Sequence, residues 1–127
     1  MLILVLLAAL AAQAYALQAL NAINQAQAAC QQFYSMLPGK VAFDPENPLA
    51  RSSSASLPAL YNSTRTSYWD AANSDDYPAC MVFPSCAEEV SAVVRALDSF
   101  PDAPFALKSG GHNWNRGYSS TDGGILI

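Results

Sequence analysis

The residues with the clearest capacity for chemistry lie in a glycine-rich stretch. Five of the six glycines fall between positions 110 and 124. Without a Cβ, Gly110 and Gly111 can take positive φ and turn consecutive N–H groups into one concavity, where an anion such as phosphate binds. Lys108 adds a nearby cation, and His112, the only histidine, follows directly. A plain Gly-Gly turn beside a hydrogen-bonded loop histidine is the structural alternative, and the residue types alone leave both open.

Other chemistries fit this stretch less well. A metal site at His112 lacks a second ligand at a suitable spacing, and the three cysteines are too far apart in sequence for a zinc pattern. A hydrolase lacks its G-x-S-x-G motif, although His112, Asp122 and a serine remain a compositional possibility. Neither G-x-G-x-x-G nor a P-loop occurs. Anion binding is therefore the chemistry that the pattern favours.

A β-α-β unit is predicted to position the glycine-rich stretch. Residues 79–83 form a compact apolar run that Pro84 ends, and residues 104–108 supply a second strand. These two strands should be parallel, with a right-handed crossover between them. Residues 124–127 begin a third strand.

The helix of this unit should begin directly after Pro84. Ser85 and Glu88 match the S-x-x-E capping box, in which each side chain binds a backbone N–H at the helix start. An apolar stripe follows at helical spacing, and we expect it to pack on a sheet or a second helix; its members are Val90, Val93, Val94 and Leu97.

Earlier in the chain the pattern predicts a helix over residues 17–37, which Pro38-Gly39 ends. Its apolar positions are Leu20, Ile23, Cys30, Phe33 and Leu37. Residues 40–44 resemble a short strand, and residues 45–56 a loop. One or two helical turns are expected within residues 58–72, where packing is the simplest role for the aromatic side chains of Tyr61, Tyr68 and Trp69.

The first 16 residues are predicted to be a secretory signal peptide. The apolar run over residues 1–12 is shorter than a membrane-spanning helix, and the small residues that follow permit cleavage after Ala14 or Ala16. No Lys or Arg precedes the run, so an uncleaved anchor and a buried helix stay open as alternatives. We expect a secreted protein that has no membrane contact once the signal is removed.

Secretion implies an oxidising compartment, in which cysteines pair. Cys80 and Cys86 flank a strand and a proline turn, which would hold their Cα atoms too far apart for a bridge. Cys30 to Cys80 is therefore the expected disulfide, with Cys86 left over. Three buried thiols are the alternative. Residues 62–64 form an N-glycosylation sequon, in line with secretion.

Length and charge limit the partners and the size of the fold. The chain has 127 residues and a formal net charge of −4, enough for one domain or part of one. Nucleic acid and anionic membrane surfaces would repel an acidic protein, so neither is an expected partner.

Four segments in order resemble a known family: residues 78–85 (PACMVFPS), 88–90 (EEV), 105–113 (FALKSGGHN) and 117–124 (GYSSTDGG). Together they are similar to the start of the secreted, berberine-bridge-enzyme-like branch of the vanillyl-alcohol oxidase superfamily, which are FAD-linked oxidases with a PCMH-type FAD-binding domain. Residues 61–69 also resemble the segment that precedes this domain in fungal members.

The resemblance implies an α+β fold: a signal peptide over residues 1–16, a helical and then loop-rich extension over 17–76, and the start of a PCMH-type domain over 77–127. It also implies that a turn wraps the FAD diphosphate and that His112 bonds covalently to the flavin 8α carbon, toward which a neutral imidazole is a competent nucleophile. The cofactor-binding residues carried over are Lys108, Ser109, Gly110, Gly111, His112 and Asn113. Asn113 stands where the family often has Ser.

The activity implied is that of a secreted FAD-dependent oxidoreductase, which oxidises an alcohol, a sugar or a secondary metabolite and passes electrons to oxygen. Family members run to several hundred residues, so we expect this sequence to be an N-terminal fragment that lacks the catalytic base and is inactive alone. A secreted binding module, or a degenerate flavin domain without cofactor, is the alternative. The substrate and the oligomeric state do not follow from these residues.

Overall fold

The computed structural model describes residues 2–52 and 56–127. The helices are α1 (Leu2–Met36), α2 (Ser56–Thr66), α3 (Ala71–Ser74) and α4 (Ala87–Leu97), with a 3₁₀ turn at Pro48–Ser52. The strands are β1 (Val41–Phe43), β2 (Cys80–Val82), β3 (Phe105–Ala106) and β4 (Ile125–Leu126). They form one sheet in the order β1-β2-β4-β3, in which β1 is antiparallel to β2 and the other pairs are parallel.

The sheet lies between two apolar layers. Successive strand residues point to opposite faces, so Cys80 and Val82 pack with α1 and α4 on one face, whereas Met81 packs with α2 on the other. The first layer is the larger and contains Phe33 of α1 and Val93 of α4. The fold is thus a mixed α and β arrangement around a small sheet.

The predicted strands are confirmed, and so is the parallel orientation of the two strands that flank α4. These strands are not neighbours, however, because β4 lies between β2 and β3 and pairs with both. Only adjacency in sequence suggested direct pairing, and the long connection after β3 allows the chain to return to the middle of the sheet. Strand β1, from the segment interpreted as an extension, belongs to this same sheet.

Helix α1 is much longer than the helix predicted over residues 17–37. Residues 3–21 are exposed, so the alternative of a buried N-terminal helix is wrong for the described chain. Leu20 and Ile23, which were expected to pack, are 54% and 45% exposed, and the small residues Ala26 and Ala29 are buried instead. Small side chains allow the helix to approach the sheet closely at these positions.

The exposed part of α1 is apolar. Among the described residues, the helix over 3–36 is long and apolar enough to cross a membrane, as a signal sequence near an N-terminus also is. The signal peptide and its cleavage remain predictions.

The capping box predicted at Ser85 and Glu88 is wrong. Cys86 is the N-cap of α4 and its side chain caps nothing, while the N–H of Ser85 donates to Glu89 Oε2 at 2.7 Å. Glu89 also binds Lys40 Nζ at 2.5 Å, which draws it rather than Glu88 back over the helix start. On the apolar stripe of α4, Val93 and Leu97 are buried, but Val90 and Val94 are 40% and 47% exposed.

The predicted disulfide between Cys30 and Cys80 is confirmed, and Cys86 is free and exposed. The bridge fastens α1 to β2. The loop predicted over residues 45–56 contains the 3₁₀ turn, and its residues 53–55 lie outside the described residues.

Candidate functional site

The glycine-rich stretch forms a loop at the carboxyl end of β3. Lys108 N donates to Ile127 O at 2.8 Å, so the strand pairing extends one step beyond β3 before the loop turns away. Gly111 has φ of +69°, which permits the turn, and its carbonyl accepts from Trp69 N at 3.2 Å. Gly110 does not take positive φ, contrary to what the pattern suggested for the pair.

Close approach excludes a side chain at Gly111 and restricts one at Gly110. A Cβ on Gly111 would lie 2.8 Å from Ser67 O and 3.1 Å from Lys108 Cε. A Cβ on Gly110 would lie 2.9 Å from Nδ1 of His112, so a larger residue there would displace the imidazole. Gly111 therefore permits the turn, whereas Gly110 leaves space beside the His112 ring.

The loop leaves several backbone donors free. Within the described part of the chain, the N–H groups of residues 111, 112 and 113 have no acceptor. The same residues line a cleft of about 260 Å³, whose other lining residues are Leu107, Ser109, Gly110, Tyr118 and Ser119. Unpaired N–H groups around a concavity are the features that bind phosphate.

A second cleft adjoins the first. It has a volume of about 280 Å³, and Ser109 lines both. Its walls come from the residues that follow β2, β3 and β4, among them Phe83, Lys108 and Ile127. Ligands of parallel α/β sheets bind outside the carboxyl ends of the strands. The two clefts together suit a ligand longer than one phosphate group.

His112 is exposed at the rim of the first cleft. Its imidazole stacks on the indole of Trp69, with 6.4 Å between ring centroids and 21° between planes. Three aromatic side chains of this region are largely exposed: Trp69 (81%), Trp114 (74%) and Tyr118 (69%). Exposed aromatic side chains next to free N–H groups offer a surface for a flat ring close to a phosphate site.

Lys108 does not provide the free cation that the sequence suggested. Its ammonium donates to Thr64 O at 2.6 Å and to Ser67 O and Oγ at 3.1 and 2.8 Å, which uses all three of its donors. The same group lies 3.9 Å from the centroid of the Tyr68 ring. Burial lowers the pKa of Lys108. Lys108 thus joins β3 to the segment after α2, and an anion at the loop would be bound chiefly by N–H groups.

A buried polar cluster behind the loop was missed by the sequence analysis. Asn73, Asp76 and Ser120 are 1%, 5% and 1% exposed, and Arg116 pairs with Asp76 at 2.8 Å. Asn73 Nδ2 donates to the carbonyl of Asn113 at 2.8 Å. The sequence contained no periodic signal for this cluster, because its members come from α3, the segment that follows it and the long loop between β3 and β4.

Tyr68 completes the support of the loop from the other side. Its hydroxyl donates to Ser119 O at 2.5 Å. Burial, together with the negative charge of Asp76, raises the pKa of Tyr68 to about 12. The hydroxyl therefore remains a donor throughout the physiological range.

The residues present fit an FAD diphosphate. Gly111 leaves no room for a side chain, the residues with free N–H groups line the first cleft, and Ser109 also lines a second cleft at the strand ends. Among the described residues, no group of three or more potential metal ligands occurs.

Comparison with known proteins finds partial similarity to fungal flavoproteins. The chain is 36% identical over 74 residues to the FAD-dependent monooxygenase CTB5 of Cercospora beticola, covering 54% of this chain and 14% of that protein. It is 39% identical over 68 residues to the FAD-dependent monooxygenase sdcF of Emericella nidulans, covering 53% and 14%. An uncharacterized FAD-linked oxidoreductase of Arthroderma benhamiae is 36% identical over 67 residues, covering 53% and 13%.

The alignments thus span only 13 to 14% of the length of these relatives. No protein-family model and no solved structure matches the chain. Over about half of its length, the chain is similar to FAD-linked oxidoreductases of fungi.

Proposed function

We propose that this chain supplies the diphosphate-binding loop and the flavin attachment site of a secreted FAD-linked oxidase. The observation that carries the proposal is the loop over residues 109–113, where three residues with free N–H groups line a cleft and one of them carries an exposed imidazole. The similarity to FAD-dependent monooxygenases supports the cofactor. We assign the chain to the berberine-bridge-enzyme-like branch and to a PCMH-type domain as part of this proposal.

In the proposed site the residues of the chain bind and orient the cofactor. The N–H groups of residues 111–113 hold the diphosphate, and Ser109 lines the passage between the two clefts. Gly110 leaves room for the imidazole, and Trp69 fixes the plane of its ring. When bound, FAD accepts two electrons from an alcohol, a sugar or a secondary metabolite and passes them to oxygen.

Covalent attachment of the flavin to His112 is a two-electron oxidation, and the flavin itself can accept the two electrons. One imidazole N–H bond and one C–H bond of the 8α-methyl group break, and one N–C bond forms. The two protons and two electrons released would be taken up by the bound flavin and passed on to oxygen. Attachment therefore needs no reagent beyond FAD and oxygen.

Secretion is supported by the disulfide between Cys30 and Cys80, because disulfides persist mainly in oxidising compartments. The apolar start of α1 is compatible with a signal sequence. Asn62 of the glycosylation sequon is exposed on α2.

Flavin retention after acid precipitation tests the proposal. Protein produced from the complete coding sequence should be yellow, and acid should leave the flavin in the precipitate. His112→Ala should release the flavin into the supernatant, whereas Asn115→Ala, an exposed residue three positions on, should behave as wild type. A colourless wild-type protein, or a variant of His112 that retains covalent flavin, would overturn the assignment.

A further inference from the structure

The segment over residues 69–73 holds His112 from both sides. Trp69 N donates to the carbonyl of Gly111 at 3.2 Å, and Asn73 Nδ2 donates to the carbonyl of Asn113 at 2.8 Å. The imidazole between these two carbonyls stacks on the indole of Trp69. One short segment, which includes α3, therefore fixes the backbone before and after His112 and also contacts its ring.

The Asn73 amide is joined to the buried cluster. Its Nδ2 faces the Asn113 carbonyl, which can only accept, and its Oδ1 lies 2.9 Å from Ser120 Oγ. Ser120 Oγ also lies 2.6 Å from Asp76 Oδ2, and Asp76 is paired with Arg116. The chain of contacts runs from the charged pair to the residue that follows His112.

Packing alone does not explain this arrangement. Burying an amide, a hydroxyl and a carboxylate is costly unless each is hydrogen-bonded, and apolar residues of similar size would fill the space without that cost. What the polar groups add is a defined direction for one loop carbonyl. Ser119 Oγ donates to the same Asn113 carbonyl at 3.1 Å, so this oxygen is held by two donors.

We propose that Asn73 is a positioning residue that holds His112 in register with the flavin 8α carbon. The inference rests on the proposed function. Asn73 lines neither cleft, and it acts through the backbone of Asn113. Its loss removes no group that would bind the diphosphate but loosens the loop, so binding of FAD should suffer less than attachment.

The test compares three variants in protein produced from the complete coding sequence. Asn73→Ala removes the tether to Asn113, and Ser120→Ala removes the hydroxyl that lies between the Asn73 amide and Asp76. Asn21→Ala is the matched control, because Asn21 Nδ2 also donates one hydrogen bond, to Asp102 Oδ2 at 2.7 Å, but at the exposed end of α1. Each variant is incubated with FAD and oxygen below its own unfolding temperature.

The first measurement is the rate at which bound flavin becomes covalent. We expect Asn73→Ala to slow attachment by about tenfold or more, since small misplacement of reacting atoms has effects of that size. Ser120→Ala should have a smaller effect and Asn21→Ala none. An unchanged rate in Asn73→Ala, or a loss of total bound FAD in proportion to attachment, would overturn the positioning role.

The second measurement does not require flavin. Hydrogen exchange of a peptide containing residues 110–114 should be faster in Asn73→Ala than in the wild type and unchanged in Asn21→Ala. If Asn73→Ala does not fold, both measurements are made on Ser120→Ala.

Exchange as slow as in the wild type, in every variant that folds, would refute the positioning role of Asn73. A wild-type protein that binds no FAD would refute the proposed function. In that case the exchange rates alone decide whether Asn73 holds the loop.

Discussion

At the scale of single residues, backbone geometry rather than side-chain charge defines the loop after β3. The nearest lysine is engaged elsewhere by three acceptors, and the N–H groups that remain free belong to Gly111, His112 and Asn113. This geometry makes substitutions of glycine more informative than substitutions of charged residues.

Gly111→Ala should destabilise the protein more than Gly117→Ala. Both residues have positive φ, of +69° and +82°, so alanine at either carries a strain of about 1–2 kcal/mol. Only at Gly111 would the new Cβ meet other atoms, whereas nothing lies within 4 Å at Gly117. We expect about 1–3 kcal/mol of further destabilisation at Gly111. Urea unfolding measures the difference, and equal midpoints would contradict the close approach to Ser67.

Tyr68→Phe should reduce the loss of stability at alkaline pH. The folded pKa of Tyr68 is raised from 10.0 to about 12, chiefly by burial. Above pH 10 the unfolded chain loses this proton before the folded chain does, so the contribution of Tyr68 is complete below pH 10 and disappears toward pH 12. The stability difference between wild type and variant should therefore shrink over this window. A difference that is constant from pH 9 to 12 would show that the Tyr68 hydroxyl is not buried as described.

At the scale of elements, long-range links fasten helices to a sheet of very short strands. Strands of two or three residues bury little surface, so α1 and α4 must be held by other contacts. The Cys30–Cys80 bridge joins α1 to β2, and Glu89 joins the start of α4 to Lys40 beside β1.

Replacing both bridged cysteines with alanine should lower the free energy of unfolding by about 4 kcal/mol, because the bridge closes a loop across a sequence separation of 50. Cys86→Ala should change little, since this thiol is exposed and free. Denaturant unfolding of both variants supplies the comparison. The account of α1 would be wrong if the double variant matched the wild type.

Glu89→Ala should lower the melting temperature at neutral pH more than Glu88→Ala does. Glu89 accepts from both Lys40 and the N–H of Ser85, and these hydrogen bonds hold the pKa of Glu89 below its ordinary value of 4.5. Its contribution is thus present above pH 4.5 and is lost as the pH falls below that value. Thermal melts at pH 7 and pH 3 test this. A larger effect of Glu88 at pH 7 would favour the capping box that the sequence suggested.

At the scale of the whole molecule, the sequence predicted those features that follow from local patterns. Proline and apolar runs located all four strands, and the strand around Cys80 identified the partner of Cys30. The order of strands was not predictable, because the insertion of β4 between β2 and β3 depends on where a long loop returns. The N-cap of α4 is Cys86 and not the predicted Ser85. The sequence could not show this, because Lys40 beside β1 binds Glu89 and holds it over the helix start.

The candidate site was predicted in the same uneven way. Glycine and histidine in sequence indicated the loop, because turn formation belongs to the residues themselves, and anion binding there stays a prediction. The roles of Asn73, Asp76 and Ser120 depend on which loops meet in space, and no spacing rule encodes that meeting. Lys108 carries the positive charge that the sequence indicated, but its ammonium binds Thr64 and Ser67, which are distant in sequence.

The measurement that tests the central claim most directly is mass mapping of the wild-type protein from the complete coding sequence. After proteolysis, the account predicts that the peptide containing His112 carries the added mass of FAD and fluoresces as a flavin. Recovery of that peptide unmodified, from protein that either lacks flavin or carries it on a different residue, would contradict the account.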